Sequence, residues 1–205
     1  MEAYIVKGYR TAVGKAKKGG FKNYRSDDMA VQVIKQLVKN VPQLDPTTVN
    51  DVIVGCANPE GEQGLQVGRL ISARALGIEV PGITINRYCA SGLEAISLAV
   101  AKIKAGMGDI FIAGGAESMS LIPMTGYKLS PSYQANMENI NYHVSMGATA
   151  EAVAEKYNIT REAADSFSLA SHKKAANAID QGYFKEEIVS GFVFNVFKFS
   201  FLFPG

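Results

Sequence analysis

Between Met29 and Asn40, apolar side chains recur at Met29, Val31, Ile34, Leu37 and Val38, a spacing that predicts an amphipathic helix. Ser26, Asp27 and Asp28 stand ahead of it as N-cap candidates. Upstream, residues 2–9 (EAYIVKGY) alternate loosely and predict an opening strand, whereas 10–25 break into glycines and cations and predict a loop. Downstream, the short β-branched run 50–57 predicts a strand, and NPEGEQG turns it into a second helix over 65–77 that stops at a glycine. A third strand over 82–89, a third helix over 90–106 and a fourth strand over 109–116 follow. From Ala90 to Ala101 only Ser91, Glu94 and Ser97 are polar, which predicts a helix buried on nearly every side. Short apolar strands alternating with helices of roughly a dozen residues imply parallel βαβ units with helices on both sheet faces.

The pattern changes after Ser120. Residues 121–147 carry prolines, asparagines and tyrosines without a period, and a loop this long is usually functional or an excursion from the core. Two helices are then predicted, over 148–158 and over 160–183, the second opened by Thr160. The expected organisation is an α/β domain over 1–118, a loop and helical annex over 119–189, and a tail over 190–205. That tail holds six of the ten phenylalanines in its last fourteen residues. It falls short of the roughly 20 apolar residues of a membrane helix, and Asn195 and Lys198 interrupt it.

Charge narrows the picture only by exclusion. Lys and Arg total 21 against 19 Asp and Glu, so a net +2 gives no field that calls for nucleic acid or an anionic membrane. The N-terminus has neither signal-peptide nor transit character, and a cytoplasmic location is the expectation. Cys56 and Cys89 are then expected as free thiols. Cys89 sits where strand gives way to helix, near unpaired amides and the positive end of the helix dipole, both of which favour a thiolate. The same amides are suited to holding an oxyanion on a carbonyl that the sulfur attacks, with Ala90, Ser91 and Gly92 small enough to let it approach. On position alone, a small buried hydrophobe is an equally good reading. Cys56, followed by Ala57, Asn58 and Pro59, has no helix directly behind it and reads as a core thiol.

Other motifs fail on spacing. GYRTAVGKA has five residues between its glycines and lacks Ser or Thr after Lys15, so it is not a phosphate-binding loop. CASG lacks the first glycine of a nucleophile elbow. Two histidines and two cysteines lie too far apart in sequence for a zinc site. Lys15, Lys17, Lys18, Lys22 and Arg25 form an acid-free cluster that suits the phosphates of a nucleotide but reads more simply as a solvated loop.

INRYCASGLEAISLA resembles the acyl-enzyme signature of the thiolases, with Asn86, Cys89, Ser91 and Gly92 at matching places. GGAESMS, the RTAVGK after the first strand, SMGATAEAVAEKYNITREAADSFSLASHKKA and GYFKEEIV resemble further thiolase segments in the right order, over about residues 1–189. The resemblance implies a thiolase-like layered α/β fold with a mixed or parallel sheet flanked by helices. It also implies acyl transfer by ping-pong covalent catalysis, with Cys89 as nucleophile and its backbone amide at an oxyanion site. Acyl-CoA and CoA are then substrates, and no separate cofactor or metal is called for. Met146 matches a methionine beside the pantetheine arm. Ser145 stands where many acetoacetyl-forming members have histidine, which leans toward the degradative, broader-chain type. In thiolases the strand matching 82–88 lies at a twofold contact, so a homo-oligomer, dimer or tetramer, is implied.

The same resemblance calls for a histidine in a GHP element and a second cysteine in a CxG element. Neither element occurs, and His143 and His172 read as loop and surface residues. The likeness stops near Val189, which leads to the expectation of a truncated or frame-shifted product, or of a subunit completed by a second chain. A non-catalytic remnant and a β-ketoacyl synthase are the alternatives. GGAESMS and the helical annex argue against the synthase.

Overall fold

The computed structural model describes residues 2–190. They fall into two compact units, one comprising residues up to 127 together with those from 187 onward, the other comprising 128–186.

The first unit is built on a parallel three-stranded sheet: β1 (Asp51–Gly55), β2 (Gly82–Ile85) and β3 (Phe111–Gly115), in the order β2-β1-β3. Val52 pairs with Gly82 on one side and Ile112 on the other, so β1 is central and all five of its residues are buried. The pleat sends alternate side chains to opposite faces. Val52, Val54 and Cys56 join Val31 and Ile34 of α1 (Ser26–Lys39) and Val67 and Ile71 of α2 (Val67–Ala75) on one face. Ile53 meets Ala95 and Ala99 of α3 (Ser91–Lys104) on the other. The result is the expected α/β layering, with helices on both sides of a parallel sheet.

Three of the departures from the sequence reading shape this unit. Residues 2–9 form no strand: Tyr4, Ile5 and Val6 are exposed, and the chain first pairs at Arg10, through an isolated parallel bridge to Ile188. A cavity of about 330 Å³, lined by Tyr9, Met29, Val33, Ile112 and Gly114 among others, separates this segment from the sheet. Alternation alone does not make a strand without a ladder to join. Next, α1 starts at Ser26 itself, with Arg25 in the cap position and no side-chain cap. Asp27 is instead buried, receiving Arg25 Nε at 2.9 Å and Arg74 Nη1 of α2 at 2.8 Å. Finally, α2 begins at Val67, because Leu65 and Gln66 are left-handed. The Gln66 side chain accepts from the amide of Thr84 at 2.8 Å, and the amide of Gly68 donates to the Thr84 hydroxyl at 2.9 Å, which fastens this turn to β2.

In the second unit, α4 (Tyr133–Glu138), α5 (Met146–Tyr157) and α6 (Arg161–Asp180) bury no residue. Their starts are fixed locally. Ser132, Ser145 and Thr160 each accept, through the side chain, an amide from the first turn of the following helix, and Asn158 closes α5 in the left-handed region. No described helix is long and apolar enough to cross a membrane.

Candidate functional site

The carboxyl ends of β1, β2 and β3 share one edge of the sheet, the edge where open parallel sheets hold their sites. Each strand runs there into a polar connection. After β3, Glu117 accepts through Oε2 from the amide of Ala57 at 2.6 Å and through Oε1 from Gln63 Nε2 at 2.5 Å. Gln63 is wholly buried; its Nε2 also donates to the Asn58 carbonyl at 2.9 Å, and its Oε1 accepts from the amide of Ser118 at 2.5 Å. Cys56 lies inside this knot, with Gln63 Nε2 3.4 Å and Glu117 Oε1 3.9 Å from its sulfur. Burial, and then the negative charge of Glu117, push its thiol up to about 11. Cys56 is a neutral core thiol.

Cys89 has the opposite setting. It is exposed, two positions ahead of α3, in a turn laced from both ends. Asn86 donates through Nδ2 to the Ala57 carbonyl at 2.9 Å and accepts through Oδ1 from the amide of Tyr88 at 2.8 Å. Ser91, buried, donates its hydroxyl to the Tyr88 carbonyl at 2.6 Å and accepts from the amide of Arg87 at 2.8 Å. Between these clamps Tyr88 sits at φ +46°, a left-handed conformation that costs a residue with a Cβ roughly 1–2 kcal/mol. The first turn of α3 rests directly on the sheet: a Cβ at Gly55 would collide with the Ser91 carbonyl, and one at Gly115 would stand 3.7 Å from Gly92 Cα. The amides spent inside the turn are those of Arg87, Tyr88, Ala90 and Ser91; the amide of Cys89 is not among them.

The expectation of a helix buried on nearly every side is therefore corrected. Of α3 only Ser91, Ala95 and Ala99 are buried, while Leu93 is 68% and Ile96 38% exposed. Composition alone does not distinguish a helix buried all round from one whose second apolar face lies uncovered. Chemically, the site offers an accessible sulfur at the positive end of a fourteen-residue helix. An electrophilic carbon can reach that sulfur, and the nearby backbone amides suit the oxyanion that attack creates.

This geometry has close relatives. Residues 3–195 match the family described as thiolase, N-terminal domain. The chain belongs to the thiolase family. A 3-ketoacyl-CoA thiolase from Bacillus subtilis is 48% identical over 189 residues, which are 92% of this chain and 48% of that protein. A 3-oxoadipyl-CoA/3-oxo-5,6-dehydrosuberyl-CoA thiolase from Escherichia coli is 40% identical over 205 residues, again across 92% of this chain and 51% of that protein. Among solved structures, the acetyl-CoA acetyltransferase of Bacillus anthracis superposes with a TM-score of 0.74 at 33% identity, covering 88% of this chain and 48% of that one. The chain thus spans about half the length of the thiolases it matches.

His143, Ser145, Met146 and His172 lie in the unit of 128–186, and the cations from Lys15 to Arg25 in the first unit. Ser145 caps α5 and Met146 opens it with an exposed side chain. His143 meets Asn136 Oδ1 through Nδ1 at 2.7 Å, and His172 lies on the exposed α6. Among the described residues, no group of His, Cys, Asp and Glu is placed to hold a metal ion. Sequence reasoning missed Glu117, two residues past β3, and Gln63, in the connection after β1, which carry no signal beyond being polar. It also missed the left-handed Tyr88, which no residue type announces.

Proposed function

We propose that this thiolase chain carries the acyl-accepting step of the reaction, with Cys89 as nucleophile toward a 3-ketoacyl-CoA or acetyl-CoA. The observation that carries the reading is the exposed Cys89 thiol at the start of α3, in a turn whose Ser91 and Gly92 backbone lies against β1 and β3. With acetyl-CoA, the Cys89 thiolate attacks the thioester carbon, forming a C–S bond while the carbonyl electrons collect on oxygen. Amides at the head of α3, that of Cys89 included, hold the oxyanion. Collapse breaks the bond to the CoA sulfur, which leaves as thiolate and takes up the proton that Cys89 lost. A second CoA or an enolate then accepts the acyl group, and free Cys89 returns. Met146, exposed at the head of α5, contacts the pantetheine arm in this reading, Ser145 in place of histidine favours the broader-chain, degradative type, and no further cofactor enters.

Intact-protein mass spectrometry after mixing with acetyl-CoA tests the proposal. The expected result is one acetyl group on the Cys89 peptide of the native chain and none on Cys89→Ser. Absence of the adduct, or an adduct that survives the substitution, refutes it.

A second reading, that a partner chain completes the site, is favoured by two observations. The sequence has no GHP or CxG element to supply the base and the second thiol, and Leu93 and Ile96 leave an apolar face of α3 uncovered. In this reading the chain alone is acetylated once without turning over, and steady thiolysis appears only when a chain matching the other half of the relatives is added. The same reading includes a twofold contact along 82–88 between copies, which the molar mass in solution checks.

A further inference from the structure

Asn86 is placed between two connections that have no covalent link near it. Its Nδ2 reaches the Ala57 carbonyl after β1, at 2.9 Å, and its Oδ1 holds the amide of Tyr88, at 2.8 Å, one residue before Cys89. Ala57 is itself held from the other side, its amide donating to Glu117 Oε2 at 2.6 Å. A line of hydrogen bonds thus runs from Glu117 through Ala57 and Asn86 to the peptide that carries Cys89. Tyr88 would leave φ +46° if unrestrained, because its Cβ opposes that conformation, and the residue is 73% exposed and gains little from packing.

We propose that Asn86, backed by Glu117, is a positioning residue for Cys89: it holds Tyr88 in the left-handed conformation and so keeps the Cys89 thiol at the head of α3. The inference rests on Cys89 being the nucleophile, and it names what aims that nucleophile. Without the bond to Asn86, Tyr88 relaxes to φ < 0, the turn re-routes, and the Cys89 thiol leaves its exposed place ahead of the first turn of α3.

The strain supplies a specific test, because glycine adopts φ > 0 at no steric cost. Alkylation of the full chain by iodoacetamide, read at the Cys89 peptide by mass spectrometry, requires no CoA chemistry. It therefore stays informative even if the acetyl adduct proposed above never forms. Asn86→Ala is expected to slow Cys89 alkylation about five-fold, the worth of one ordinary hydrogen bond. Adding Tyr88→Gly to Asn86→Ala is expected to restore the rate to within about two-fold of the native chain. Glu117→Gln, acting through Ala57, is expected to slow it by a smaller factor in the same direction. Where Asn86→Ala does not fold, Asn86→Ser, whose hydroxyl holds the amide two residues on more weakly, carries the same pair of comparisons at an intermediate rate. An unchanged Cys89 rate in the single variants overturns the proposal. So does a slowed rate that Tyr88→Gly fails to restore, or one accompanied by new labelling of buried Cys56, since both mark a general loosening rather than a turn held in one conformation.

Discussion

The two cysteines show how far side-chain environment outweighs residue type. Cys56 is buried, and desolvation together with Glu117 pushes its thiol up to about 11. Cys89 is open to solvent. At about pH 8, below the ordinary thiol value, iodoacetamide is expected to label Cys89 and to spare Cys56 until the chain is unfolded; peptide mass spectrometry in the presence and absence of urea checks it. The linkage follows from the same shift. Because the folded chain keeps the Cys56 proton to higher pH than the unfolded chain does, the stability this contributes is complete below the ordinary thiol value of 9.0 and is lost as pH rises toward about 11. Urea midpoints across that alkaline range should therefore fall in the native chain and fall less in Cys56→Ala. Cys89 was legible as the residue to watch, because helix-start position and resemblance converge on it. The left-handed Tyr88 was not, since Asn86 and Ser91 impose that conformation by bonds that only the folded chain forms.

At the scale of elements, glycine marks where backbone must lie on backbone. Gly55 ends β1 beneath the first turn of α3, with no room for a methyl group against Ser91. Gly55→Ala is expected to destabilise the unit by about 1–3 kcal/mol, measured as a lowered urea midpoint. Gly92, one residue into the same helix, has open space around its Cβ position, and Gly92→Ala is expected to stabilise by about 0.5–1 kcal/mol. Helices α1 and α2 were readable from their spacing, and β1, β2 and β3 from their short apolar runs, because those signals are local in the sequence. The segment 2–9 was misread because an edge strand is decided by its neighbour, and among the described residues none lies beside it. Asp27 was misread as a cap for a similar reason: its partner Arg74 is far along the chain, on α2.

Across the whole molecule, burial is concentrated in one place. The buried residues of the described chain run from Ser26 to Ile122, whereas α4, α5 and α6 bury none. Hydrogen exchange should register that difference, with amides of β1 protected on the order of a hundred-fold or more above those of α5 and α6. Comparable protection in α5 and α6 would show those helices covered in solution. The tail over 190–205 falls outside the described residues save for Ser190. The register of the sheet also sets the separations along the chain that its pairings close. β1 pairs with residues 30 positions ahead in β2 and 60 ahead in β3, so the strand synthesised first is the one that ends in the middle. It is made, with apolar Val52, Ile53 and Val54 on its two faces, before α2 and then α3 emerge. Since doubling a loop adds only about 0.6 kcal/mol to its closure, the second pairing is nearly as accessible as the first. Both outer strands are made after the central one, and the bond from Ala57 to Glu117 behind the Cys89 turn awaits a residue that follows β3.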